Sequence, residues 1–316
     1  MSDQRSLHIG LILPLHGTQF TDVLAAARAA ETARFDELWV PDHWLNQGRP
    51  QAGVLECWTV LSAVAAVTQR IGVGTLVLST PLRQPLWLVK AAATLATLAP
   101  DRLTLGLGAG GFTYFDTCAQ FGFPVLSPSE RVAHVAETLA VLRTALRDDP
   151  ADFAGRFARA RGLRVYPRPP HPIPIVLAAQ RPRMLELAAR EADGWNCPLP
   201  QALESGLAEI KRFGCARKPF RIDVFSVAVL GESDAAAQRA LVSAGAAAQR
   251  FGDVETHHVF GGPARAAECL ANLARRGAGG VTLDVRGMPI QEAVELLARD
   301  VFPLLGRGSL GLNAVP

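Results

Sequence analysis

Short runs rich in Val, Ile and Leu recur eight times along the chain, at 8–13, 37–41, 71–78, 103–107, 173–178, 194–197, 222–230 and 280–285. A short continuous apolar run is the pattern of a strand covered on both faces, as in a parallel sheet backed by helices. Between the runs lie Ala-rich amphipathic segments at 21–34, 59–68, 86–98, 130–146, 183–190, 235–249 and 264–276, which read as crossover helices. Strand and helix therefore alternate from one end of the chain to the other. Eight such units can close into a (β/α)8 barrel, whereas an open doubly wound sheet usually has fewer strands and a glycine fingerprint after the first. Here the first run is followed by Pro14, Leu15, His16 and Gly17, which form no such fingerprint.

The sequence predicts an α/β protein with one (β/α)8 TIM-barrel domain over 1–316, carrying insertions after strand four and before strand five, at 110–129 and 147–172. Loops of that length in a barrel usually line or cover a site, so both are expected to shape it. With 316 residues, 49% hydrophobic and 19% charged, the chain can bury a large core, and disorder is excluded. A net charge of +3, with Lys and Arg scattered and no block of like charge, indicates neither nucleic acid nor a membrane surface as partner and leaves a small molecule. The five cysteines are widely spaced, with no Cys-x-x-Cys pair and no zinc-like Cys/His cluster. They read as reduced thiols of a cytoplasmic protein, with no metal site. Residues 1–6 are polar and form no secretion signal, and no apolar run approaches the ~20 residues needed to span a bilayer.

In a barrel the loops leaving the C-terminal ends of the strands build the site, so the residues just after each run are the candidates. Asp42 and His43 follow the second run and offer a proton donor or acceptor near neutrality, with Trp44 as a ring wall for a flat cofactor. The competing reading is a capping Asp and a His satisfied by backbone. Ser79 and Thr80 end the third run; their hydroxyls either bond a ligand ring or satisfy the turn. Gly106, Gly108, Gly110 and Gly111 end the fourth and let a ligand or another backbone come close. Ala178, Ala179, Gln180 and Arg181 run into a helix opened by Pro182. Free N–H groups and the helix dipole there favour a phosphate, with Arg181 or Arg183 adding charge, and a plain strand–helix junction is the alternative. Phe260, Gly261, Gly262 and Pro263 open another helix and read as ordinary capping. His257 and His258, being adjacent, read as surface residues, and Glu56 suits the start of a helix.

Five strings in register, VPDHW at 40–44, LECWTVL at 55–61, RIGVGTLVL at 70–78, RLTLGLGAG at 102–110 and ADGWN at 192–196, resemble the luciferase-like superfamily over nearly the whole chain. The resemblance implies a TIM barrel that often dimerises, so a homodimer is expected. Within the superfamily the chain looks most like the branch of coenzyme F420-dependent oxidoreductases, which implies hydride transfer between reduced F420 and a small organic substrate. FMN-dependent members share the same strings, so an FMN-dependent monooxygenase using reduced flavin and oxygen is the alternative, and a non-catalytic cofactor-binding relative the second. By the same resemblance Asp42 and His43 are the catalytic pair beside the reactive ring, with His43 moving the proton. Leu76 and Val77 fall where relatives carry a non-prolyl cis peptide that backs the ring. Ser79 and Gly108 are further cofactor contacts, and Ala178, Ala179, Gln180 and Arg181 match the phosphate loop. Two departures stand out: several deazaflavin enzymes have an acid where this chain has Gly111, and the phosphate loop is commonly Gly-Gly followed by Ser or Gly.

Overall fold

A computed structural model describes residues 7–46, 50–217 and 219–307; residues 1–6, read above as a lead-in without a secretion signal, lie outside the described residues. Eight parallel strands form a ring: β1 His8–Ile12, β2 Glu37–Val40, β3 Gly72–Thr75, β4 Leu103–Gly108, β5 Ile175–Ala178, β6 Gly194–Cys197, β7 Arg221–Leu230 and β8 Gly280–Val285. Each pairs in parallel with the next, and β8 pairs with β1 to close the barrel. Continuous apolar runs are what this geometry demands, because a barrel strand faces helices on one side and the packed interior on the other. Every residue of β2 and β4 is buried. On the outside the alanines let helices sit close: Phe20–Thr32 buries Val23, Ala26, Ala27 and Ala30 against the strands.

The barrel interior holds Trp39, which is completely buried and packs with Ile12 and Val176 against the partly buried Leu76 and Phe225. Two glycines make that possible. A Cβ on Gly10 of β1 would stand 2.6 Å from the Trp39 indole nitrogen, and one on Gly74 of β3 would stand 2.7 Å from its Cζ3. The ring of β2 therefore occupies the space that side chains on both neighbouring strands would fill. The guanidinium of Arg221 lies 5.5 Å from the indole centroid, bonded to Glu37 and, at 2.5 Å, to Asp223.

The elements depart from expectation in four places. The third run splits, because the non-prolyl cis peptide Leu76–Val77 separates β3 from a two-residue strand, Leu78–Ser79, that pairs with Leu107 and Gly108. The helix expected over 235–249 ends at Ala244, because Gly245 takes a positive φ of 50°, a conformation costly for residues with a Cβ. The segment after β4 contains the helix Tyr114–Phe121, and that before β5 contains an antiparallel hairpin, Ala151–Ala154 with Arg159–Leu163. This hairpin joins the end of helix Pro128–Arg147 to the start of β5, and its turn folds back along that helix, where the Phe157 and Ala158 N–H groups donate to Glu137 at 2.7 and 2.6 Å. Among the described residues, no helix is long and apolar enough to cross a membrane.

Candidate active site

A cavity of about 840 Å³ opens at the C-terminal ends of the strands, with Ile12, Leu15, Phe225, Phe251 and Met288 among its apolar walls. Its size falls within the range of small-molecule sites. Beside it a narrower cleft of about 250 Å³ reaches down to Asp42, Ser79 and Gly108. Both spaces are lined by His43, Leu76, Val77, Gly111, Phe112 and Ala178, so strands two to five bring most of the expected site residues together. No residue of 147–172 lines either space. The expectation that this segment shapes the site is corrected: its hairpin packs on helix Pro128–Arg147 instead, with Phe157 against the His134 ring at 4.6 Å.

Asp42 is a buried anchor. Its Oδ2 accepts from the Ser79 N–H at 2.9 Å and its Oδ1 from Arg83 Nη2 at 2.5 Å. Arg83 also reaches Glu56 at 3.3 Å, and Glu56 caps its helix by accepting from the N–H groups of Trp58 and Thr59. Burial pushes the Asp42 carboxyl upward, opposed by Arg83 and the Ser79 N–H. Burial likewise works against the charge on Arg83, yet Asp42 and the neighbouring acids raise its pKa above the usual value. Two charge-assisted bonds to the carboxylate keep the pair ionised at neutral pH. The pair fixes the turn that follows the cis peptide.

His43 is half-buried beside the cis peptide, and its Nδ1 lies 2.7 Å from Nε2 of His16, a residue the sequence reading passed over. Burial, the His16 ring and the guanidiniums of Arg250 and Arg286 lower its pKa to about 4, so the imidazole is neutral at physiological pH. Phe112 meets His43 edge-on at 5.7 Å, and Arg250 stacks on Phe112 and Phe251 at 5.4 and 4.6 Å. Arg286 is paired with Asp284 at 2.7 Å. The ring wall expected of Trp44 is corrected, because its indole packs against Phe121 and Phe123 in a satellite cluster. Phe112 takes that place.

Ser79 and Thr80 divide the two readings made of them. Thr80 satisfies the turn, donating to the Gly108 carbonyl at 3.3 Å, whereas the Ser79 hydroxyl is buried and has no partner. The amide nitrogen of Asn196, at the end of β6, is likewise buried and unpartnered at the cavity. Buried polar atoms are nearly always satisfied, so each orphan marks where a ligand's polar atom belongs, Ser79 in the narrow cleft and Asn196 in the larger cavity. A Cβ on Gly108 would come within 2.6 Å of Val77 Cγ2, so glycine there lets the cis-peptide segment fold against β4. A Cβ at Gly111 would meet nothing within 4 Å.

At the end of β5, Ala178 lines the cavity and Ala179 is buried, its carbonyl accepting from the Trp195 indole at 2.8 Å. Gln180, Arg181 and Arg183 are exposed, and the helix Pro182–Glu191 opens with no acidic residue in its first turn. The other helix start resolves as capping, since the Gly262 N–H donates to Asp234 at 2.7 Å. His257 is exposed, but the surface reading of His258 is corrected. His258 is buried, its Nδ1 accepting from the Val227 N–H at 3.1 Å and its Nε2 lying 3.3 Å from the Phe251 carbonyl. All five cysteines are free thiols.

The family of luciferase-like monooxygenases matches this chain over residues 8–286. The chain belongs to that family. Over 180 residues, 56% of this chain and 52% of the relative, it is 37% identical to an F420-dependent glucose-6-phosphate dehydrogenase of Beutenbergia cavernae. A protein of the same description from Mycobacterium avium is 34% identical over 181 residues, again 56% and 52% of the two chains. The chain thus spans about half the length of the curated relatives it matches. Among solved structures, an F420-dependent secondary alcohol dehydrogenase holding an F420–acetone adduct superposes with a TM-score of 0.82 at 18% identity, covering 95% and 99% of the two chains. An EDTA monooxygenase from Chelativorans sp. BNC1 superposes with 0.81 at 16% identity, covering 96% and 94%. At these identities the structural likeness establishes the shared barrel.

Proposed function

We propose that this luciferase-like protein is an F420-dependent oxidoreductase that moves hydride between reduced coenzyme F420 and a small organic substrate. The observation that carries this reading is the orphaned Ser79 hydroxyl in the narrow cleft, which shares the walls Leu76 and Val77 and the neutral His43 with the cavity of about 840 Å³ beside it. The F420-dependent descriptions of relatives up to 37% identical support it. When bound, the deazaflavin supplies a carbon centre that gives or takes hydride. The lining fits a flat ring: Leu76 and Val77 would back it and the Ser79 hydroxyl would hydrogen-bond a polar atom of it, while Gly108 lets the supporting segment pack close. Ala178, Ala179, Gln180 and Arg181 would hold the phosphate through backbone N–H groups and the start of helix Pro182–Glu191. His43 accepts or gives the substrate proton at Nε2, since Nδ1 faces His16, and its lowered pKa leaves it unprotonated and ready. Asp42 acts through Ser79 and Arg83 by holding the turn. Two guanidiniums, Arg250 and Arg286, line the cavity against the carboxylates of Asp22 and Asp284, and Arg250 stacks on the rings of Phe112 and Phe251; a substrate carrying an anionic group suits Arg250, in keeping with the sugar phosphate named for the relatives.

Titration of the purified protein with F420 and with FMN, followed by ring absorbance, tests the reading. Binding of F420 and its reduction by substrate are expected. Binding of FMN alone, with oxygen consumed on reduction, would establish the monooxygenase reading in its place. If F420 binds and neither the wild type nor the His43→Ala variant turns over, the protein is a cofactor-binding relative. Gln180→Pro, which deletes one N–H, is expected to weaken F420 binding. We further propose a cytoplasmic homodimer, supported by the free thiols and by the exposed Trp87, which packs with Trp58 on neighbouring helices. Sedimentation decides the assembly.

A further inference from the structure

We propose that His16 and His43 form a two-ring relay that carries the substrate proton from the cavity to solvent. The inference rests on the reading that His43 exchanges that proton, and it adds a route for it.

The geometry is that of direct transfer. His16 Nε2 and His43 Nδ1 are 2.7 Å apart, with ring centroids at 4.9 Å and planes tilted by 53°. A nitrogen–nitrogen separation this short requires a shared hydrogen, so one ring donates while the other accepts. The placement of His16 is built into the fold. Its backbone bridges to Val54, the Leu55 N–H donates to the Leu15 carbonyl at 3.0 Å, and the Gly17 N–H donates to Gly53 at 3.3 Å. Gly17 takes a φ of 61° to turn the chain there. The loop after β1 is thus clipped to the segment before helix Cys57–Val67, and His16 is delivered to His43 from outside.

The pair also runs from the cleft to the rim, since His43 is half-buried and lines both spaces while His16 lines only the larger, at its exposed edge. The step balances with no change in the pair's charge. One proton enters at His43 Nε2, the Nδ1 proton of His43 passes to His16 Nε2, and the Nδ1 proton of His16 leaves to water; no electrons move. Both rings end in the opposite tautomer, poised for transfer in reverse. The groups facing the pair favour passage over storage. Arg250 from the loop after β7 and Arg286 at the end of β8 oppose a second proton, Asp284 offsets them in part, and Asp22 lines the same cavity.

Two variants test the relay. His16→Gln keeps a polar side chain of similar reach that can bond His43 Nδ1 but cannot pass a proton through; His16→Phe removes the partner. In protein without cofactor, ¹⁵N shifts of the ring nitrogens are expected to move together during titration in the wild type. In both variants the His43 midpoint is expected to rise from about 4, because the repulsion from the second ring is gone. With F420 bound, both variants are expected to lose about tenfold or more in kcat with KM within about twofold, and the acid limb of the kcat profile should move to higher pH. His16→Gln turnover and pH profile equal to wild type would reduce His16 to a positioning contact and overturn the relay. Independent titration of the two rings would overturn it as well. If F420 fails to bind at all, the proposed function falls, and the titration without cofactor still decides whether the rings share a proton.

Discussion

Replacing Asp42 by Leu removes one half of a buried ion pair whose two side chains are 1% and 7% exposed. Opposite charges about 4 Å apart at an effective dielectric near 20 attract by about 4 kcal/mol, which offsets the several kcal/mol of desolvation per ion. With the carboxylate gone, Arg83 keeps only Glu56 at 3.3 Å, and the Ser79 N–H loses its acceptor. The expected cost is about 3–5 kcal/mol for the stranded charge, with the Ser79 N–H placing it toward the upper end. Arg83→Met strands the carboxylate instead, at about 3–4 kcal/mol. The double variant strands neither charge and leaves only the Ser79 N–H without its acceptor, a loss of about 1–3 kcal/mol, so the coupling is at least about 3 kcal/mol. Urea unfolding of the four proteins at pH 7 measures this directly, provided the denaturant slope is unchanged. Losses that add within about 0.5 kcal/mol would refute the claim that the two groups stabilise each other.

Gly74→Ala should destabilise by about 1–3 kcal/mol through overpacking against Trp39, read as a lower urea midpoint, and Trp39→Leu in the same chain should recover part of that loss. His43→Asn should flatten the acid side of the stability profile. The unfolded imidazole takes a proton near 6.5 and the folded one near 4, so stability falls as pH drops through that window, by about 2 kcal/mol between pH 7 and 5. That portion should vanish in the variant. Ser79→Ala removes a buried hydroxyl that has no partner, so it should leave the urea midpoint unchanged or raise it. The same change should weaken F420 binding by about three- to tenfold, the worth of one hydrogen bond; unchanged affinity in the absorbance titration would place the ring elsewhere.

The barrel was legible because the period of burial is written into each run, and the short apolar segments could only be strands buried on both faces. The Asp42–His43 step and the glycines of β4 were legible for a related reason, since they follow directly from where those strands end. Contacts made across the mouth were not. His16, Phe112 and Arg250 reach His43 or one another from three separate loops, and no local pattern encodes that convergence. Local context also misled at Trp44, whose neighbours Phe121 and Phe123 arrive from a distant helix, and at His258, which is buried by pairing with β7. The cis bond came from family resemblance alone, because Leu-Val reads as ordinary strand.

Trp39 is completely buried in the barrel against Ile12, Leu76 and Phe225, which themselves line the mouth cavity, and a barrel filled behind its cavity in this way makes traffic one-ended. Two molecules stacked in such a well enter and leave through the same door, the deeper one first in and last out. Steady-state kinetics should accordingly follow a compulsory order, with the deeper ligand trapped for as long as the outer one is seated.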